Sequence, residues 1–200
     1  MAVYYAPFAA IFLARLHLVE LARSRTAYVV GVAWIAFLAA AGLGLTIKDA
    51  GLKSATVRGP GGALKATPWD AAVYTPAVSA VTSRTRPGEP ILVVPLSTSI
   101  YVLSGRANPL EDLSLLPRTL PSAADERATI ARLERARVRV AVVDYRAFPA
   151  YGHTSFGGSF DRILAGWIRR NFTVAKTIRT GPPAPRLFRV WVRRLPAAGQ

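Results

Sequence analysis

From Ala27 to Ile47 the chain reads AYVVGVAWIAFLAAAGLGLTI, with no charged residue and no polar face. About 20 such positions cross a ~30 Å hydrocarbon core as a helix, so this run predicts a transmembrane span. An earlier apolar run, Ala2 to Ala14, meets Arg15 too soon. Residues 2–19 therefore read either as a short span whose arginine snorkels or as the end of a span that begins upstream. Arg15, Arg23 and Arg25 against Glu20 make the connection between the two runs basic. Such a short loop is expected on the cytoplasmic side, which puts residues after about 48 outside the cell membrane.

The pattern then changes. Residues 48–66, rich in Gly, Lys and Ala and containing RGPGG, read as a tether, and residues 67–195 as an outer domain. Thr67, Pro68 and Asp70 open a helix toward Arg84, with Thr67 as N-cap and Pro76 expected to kink or restart it. ILVVP (91–95) and VRVAVVDY (138–145) are continuous apolar runs, as strands buried on both faces must be. Between them Ser122 and Asp125 form a capping box, opening a helix with Ile130 and Leu133 inward. Strand, crossover helix and strand make a βαβ unit, expected to be parallel and right-handed.

Phe160, Ile163, Leu164, Trp167 and Ile168 follow the spacing of a core-facing helix, and Arg169 and Arg170 suit its C-terminal dipole. FTVAKTI and LFRVWVR alternate around RTGPPAP, the pattern of an antiparallel hairpin. The expected fold class is α/β with a mixed α+β sheet. One or two N-terminal transmembrane helices precede an αβα domain that ends in a β-hairpin.

Composition modifies this picture only slightly. Hydrophobic residues make up 52% of the 200 positions, and the mean hydropathy is +0.27, in keeping with a membrane region. The net charge of +15 would suit nucleic acid. The basic residues are mostly scattered arginines beside abundant alanine, however, so no nucleic-acid partner is expected. The lack of cysteine excludes disulfides and thiolate chemistry.

The stretch IYVLSGRANPL (100–110) is unusual after a strand. Ser97, Thr98 and Ser99 are candidates to cap a short helix that Gly105 ends in left-handed backbone. This would deliver Arg106 and Asn108 to the rim beside the carboxyl ends of the strands, where α/β sheets bind ligands. Arg106 suits bidentate contact with a phosphate or carboxylate. The alternative reading is structural: Arg106 pairs with Asp144 or caps carbonyls and holds the loop still.

The second segment on that edge, DYRAFPAYGHTSFGG, offers Asp144, Tyr145, Tyr151 and His153. Asp and His are acid–base types, but no third member completes a catalytic set, and His17 falls in the inner loop. The aromatic residues suit stacking on a sugar ring, sealing against a membrane, or plain packing. The candidate ligand-binding or docking residues are thus Tyr101, Gly105, Arg106, Asn108, Asp144, Tyr145, Tyr151 and His153. No catalytic residue, metal ligand or cofactor is assigned, and no phosphate-loop, dinucleotide or hydrolase motif is present.

The succession of apolar span, PGEPILVVP, IYVLSGRANP, helix, VRVAVVD and FGGSFDRILAGWIRRNFTV resembles the C-terminal part of multi-span glycosyltransferases of the protein O-mannosyltransferase-like type. It covers the span and the outer domain. Its most specific piece is Tyr101, two apolar residues, a small residue, Gly105, Arg106 and Asn108-Pro109. The resemblance implies an outer domain that works with a transmembrane glycosyltransferase bundle and a lipid-linked sugar. In that superfamily the catalytic acid lies in an early external loop, which this chain lacks. The expectation is therefore an accessory or fragmentary domain, with an independent tethered module for anionic glycans or lipid head groups as the alternative. Asp49 and Asp70 are the outer carboxylates nearest the membrane boundary.

Overall fold

The computed structural model describes residues 25–152, 154–182 and 185–194. The first apolar run, the basic loop with Arg15 and His17, and His153 fall outside the described residues. Two compact units divide the chain, residues 1–54 and residues 55–200.

In the first unit, helix α1 spans Arg25–Leu52. Its stretch Gly31–Leu52 is long and apolar enough to cross a membrane. Apolar side chains lie all round it: Trp34, Phe37, Leu43, Leu45 and Ile47 are each exposed. A helix without a polar face has no side to turn toward water.

The second unit begins with a hairpin, β1 (Ala55–Gly59) and β2 (Gly62–Ala66), paired antiparallel. This corrects the expectation of a tether over 48–66, which is helix up to Leu52 and sheet from Ala55. Val57 is fully buried against Val78 and Leu103, which anchors the hairpin. Its turn fits because it is glycine: a Cβ on Gly59 or Gly61 would run into the carbonyl oxygens of Leu103 and Val102.

Helix α2 spans Pro68–Thr82. Asp70 N–H donates to Thr67 Oγ1 at 3.1 Å, the expected cap. Pro76 neither ends nor restarts this helix. The proline deletes one backbone bond, while buried Val73, Ala77 and Val81 hold the turns on either side against the sheet.

Strand β3 (Leu92–Val94) leads into the short helix α3 (Ser99–Ser104). Helix α4 (Ala123–Arg135) opens on the Ser122–Asp125 capping box, complete in both directions. Strand β4 (Val140–Asp144) follows and pairs parallel with β3, Val93 opposite Val142. Helix α5 (Arg162–Asn171) leads directly into β5 (Phe172–Thr180), which returns as β6 (Arg186–Arg193).

The four-stranded sheet has the order β3-β4-β6-β5, with β6 antiparallel to both neighbours. It is a mixed sheet in a mixed α/β fold. Strand alternation sends neighbouring residues to opposite faces. Val93, Val142, Phe188 and Val190 pack with Val73, Ala77 and Val81 of α2. Leu92, Val94, Ala141, Val143 and Trp191 pack with Leu133 of α4 and Leu164, Trp167 and Ile168 of α5. Each such aliphatic side chain contributes about 1.5–3 kcal/mol on full burial, so both faces are firmly held.

Candidate functional site

At the carboxyl end of the parallel pair the chain brings together charges from four segments. Asp144, the last residue of β4, is fully buried. Its Oδ2 accepts hydrogen bonds from Ser97 Oγ at 3.0 Å, Arg146 Nε, and Arg186 Nη1 at 3.3 Å. Its Oδ1 accepts the Arg146 backbone N–H at 3.2 Å. Arg186 reaches further with Nη2, which donates to Asp70 Oδ1 at 2.9 Å. Asp70 therefore has a second role beyond its cap.

Burial pushes the Asp144 carboxyl up, against the pull of the Arg146 charge and the Arg146 and Ser97 hydrogen bonds. Burial also raises the Tyr74 phenol, against a Ser97 hydrogen bond that lowers it. Tyr74 meets the Phe188 ring edge-on at 6.4 Å, which positions it beside this cluster.

Two guanidinium groups on one carboxylate oxygen are held only because the buried charge offsets their repulsion. Their side chains are 23% and 19% exposed, so each arginine keeps some contact with solvent. Ser97 sits in left-handed backbone, φ 78°. A non-glycine residue holds that conformation at a cost of about 1–2 kcal/mol. Here its hydroxyl is anchored on Asp144. The serine expected to help cap α3 instead joins the loops after β3 and β4, and α3 begins without a side-chain cap bond from Thr98.

The remaining candidates separate. Helix α3 turns the chain back alongside β3, so Gly105–Ala107 lie at the strand's amino end. Gly88 N–H donates to Gly105 O at 2.9 Å, and Ala107 bridges to Pro90. Arg106 and Asn108 are therefore not on the rim with Asp144, which corrects that expectation.

Arg106 is buried, and its Nε donates to Thr85 Oγ1 at 2.7 Å while Nη1 and Nη2 serve the carbonyls of Ser104 and Thr85. Of the two readings of this residue, the carbonyl-capping one describes the structure. Gly105 ends α3 in left-handed backbone, φ 63°, as expected. Tyr101 is buried, and its phenol is raised by that burial, partly offset by the Val93 backbone bond it makes. Asn108 closes its own turn, accepting from Leu110 N–H at 3.1 Å and donating to Asp112 O at 2.9 Å.

Tyr145 points to the face opposite Asp144, as successive strand residues must. It packs with the α4–α5 core under Arg189, whose guanidinium carbon lies 5.3 Å from the ring centroid. Tyr151 is 45% exposed and meets Phe148 edge-on.

Of the named candidates among the described residues, only Asp144 belongs to the charged cluster. Ser97, Arg146, Arg186, Asp70 and Tyr74 complete it. The available signal was an Asp-x-Arg at the end of a buried strand. Among the described residues, no three His, Cys, Asp or Glu side chains gather as metal ligands.

A comparison of the chain with protein-family models, curated proteins and solved structures gives no match.

Proposed function

We propose that the chain is a membrane-anchored, extracytoplasmic recognition domain, an αβα accessory to a lipid-linked-sugar glycosyltransferase rather than a catalyst by itself. Helix α1 is the anchor in the cell membrane, and the basic loop before it sets the cytoplasmic side. The ligand is the phosphate-bearing head group of a polyprenyl-phosphate sugar.

The observation that carries this reading is the arginine pair, Arg146 and Arg186, held by Asp144 at the carboxyl ends of the parallel strands. That edge is where open α/β sheets bind ligands, and two convergent forks suit a phosphate. Asp144 is engaged by both arginines and by Ser97, which makes it a positioning anion rather than a free base.

The test uses the full chain in nanodiscs. Binding is measured to a polyprenyl-phosphate sugar, to the neutral polyprenol, and to vesicles of anionic phospholipid. Phosphate-dependent binding that falls at least tenfold in Arg186→Gln supports the reading. Equal binding of the neutral lipid overturns it, and preference for bulk anionic phospholipid moves the function to the independent tethered module. Turnover of donor by the chain alone would show an enzyme. Reporter fusions should give an outer signal after Leu116 and a cytoplasmic one at Ser24; the reverse would invert the topology.

A further inference from the structure

The start of α5 is capped by a residue from another helix. Asp161, its N-cap residue, sits in left-handed backbone (φ 49°, ψ 45°) and makes no cap hydrogen bond with its side chain. The Leu164 N–H, in the first turn, instead donates to Glu126 Oε2 of α4 at 2.8 Å. Both carboxyls are withdrawn from water, Asp161 with 5% of its surface exposed and Glu126 with 9%. Asp161 Oδ2 has no hydrogen-bond partner among the described residues.

Among the described residues, no cation pairs with Asp161. From α4 the group that acts on Asp161 is Glu126. Arg162, next in sequence, donates through Nε to Gly158 O at 2.9 Å. Arg169 packs beside Gly157. Tyr151, in the loop after β4, lies against Phe148.

A helix N-terminus favours one negative charge by about 0.3–1 kcal/mol. Glu126 already supplies that charge. A second buried carboxylate facing it is opposed by desolvation and by like-charge repulsion together.

We infer that Glu126 and Asp161 form a proton-operated latch on the α4–α5 contact, closed while Asp161 is protonated and loosened when it ionises. With the proton in place, Glu126 is the one charge at the helix start. With the proton gone, two buried carboxylates face each other and the first turn of α5 opens. Burial first, and then the Glu126 charge, push the Asp161 carboxyl up to about 7, which places the change near neutral pH. The first turn of α5 carries Leu164, a fully buried member of the core on that face of the sheet, so its opening is felt in the packing.

The experiment is amide hydrogen exchange on the full chain in detergent micelles between pH 5 and 8, corrected for the intrinsic exchange rate. In the wild type the opening constant of amides 162–168 should rise about tenfold per pH unit from 5 to 7, and then level off. Asn takes left-handed backbone readily, so Asp161→Asn keeps the local fold and should flatten the profile. Glu126→Gln should move the midpoint to lower pH by removing the like charge. A flat wild-type profile, or an Asp161→Asn profile with the wild-type slope, overturns the latch. Equal loss of protection at Val142 in β4 would also overturn it, because the opening would then be global.

Discussion

The backbone N–H of Val93 donates to the phenol oxygen of Tyr101 at 2.9 Å. A side chain thus occupies a position on the free edge of β3 where another strand would otherwise pair. Unpaired edges invite association with other chains, and covering them is a common remedy. The YVLSGRA segment is built for this: α3 lays Tyr101 on the strand, Gly105 reverses the chain, and Ala107 bridges to Pro90.

Tyr101→Phe should leave the Val93 N–H buried without a partner. Such a loss costs about 1–3 kcal/mol. Denaturant unfolding of the purified chain measures it, and an unchanged midpoint would show that water or another group satisfies the N–H.

Arg106→Ala should lower stability and leave ligand binding intact. The guanidinium holds Thr85 and the carbonyls of Ser104 and Thr85 together, and removing it strands those acceptors in a buried place. A cost of about 2–4 kcal/mol is expected from the charged hydrogen bonds and the acceptors left behind. Binding to polyprenyl-phosphate sugar, measured beside unfolding, decides the role of this residue. Lost binding at wild-type stability would return Arg106 to the ligand site.

These two residues show where sequence reading stops. Leu92, Val93 and Val94 announced a buried strand, and Thr67-Pro68 and Ser122-Asp125 announced helix starts, because each signal is local. The role of Arg106 depends on Thr85, 21 positions earlier, and that of Asp144 on Arg186, 42 positions later. Residue type alone makes Arg106 look like a ligand group and gives no sign that Asp144 is joined to Arg186. The hairpin at 55–66 was hidden for the same reason: Val57 is its one fully buried side chain, and its partners Val78 and Leu103 lie on α2 and α3. Alternation along β4 was legible in principle, and it separates Asp144 from Tyr145, which a purely linear reading had grouped.

Stability should fall as pH rises from about 4 to 7. Asp161 has an ordinary carboxyl value of 3.8 when unfolded and about 7 when folded. In that window the folded state holds a proton that the unfolded state has released, so raising the pH favours unfolding. Each tenfold change in proton affinity is worth about 1.4 kcal/mol. Asp144, also raised by burial, acts with the same sign. Unfolding free energies measured at pH 5 and pH 7.5 should differ by on the order of 2–4 kcal/mol, and by clearly less in Asp161→Asn. A wild-type chain more stable at pH 7.5 would contradict the assignment.

Asp144→Asn should be among the most damaging single changes, and a second change should partly repair it. The substitution keeps the shape but turns one of the two accepting oxygens into a donor amide, and it removes the charge that allows Arg146 and Arg186 to converge on one oxygen. Breaking a buried ion pair from one side costs about 3–5 kcal/mol, because the partner charge is left uncompensated. Both arginines keep some solvent contact, so the lower end is expected. Adding Arg186→Gln removes one of the two stranded cations and also frees Asp70, which retains its hydrogen bond from Thr67 Oγ1 at 2.8 Å. The double variant should therefore be more stable than the sum of the two single losses predicts, with a coupling of about 1–3 kcal/mol. Unfolding of the four proteins in one buffer closes the cycle. Additivity within about 0.5 kcal/mol would mean that Asp144 and Arg186 are neighbours without being partners, and the arginine pair would lose its anchor as a phosphate site.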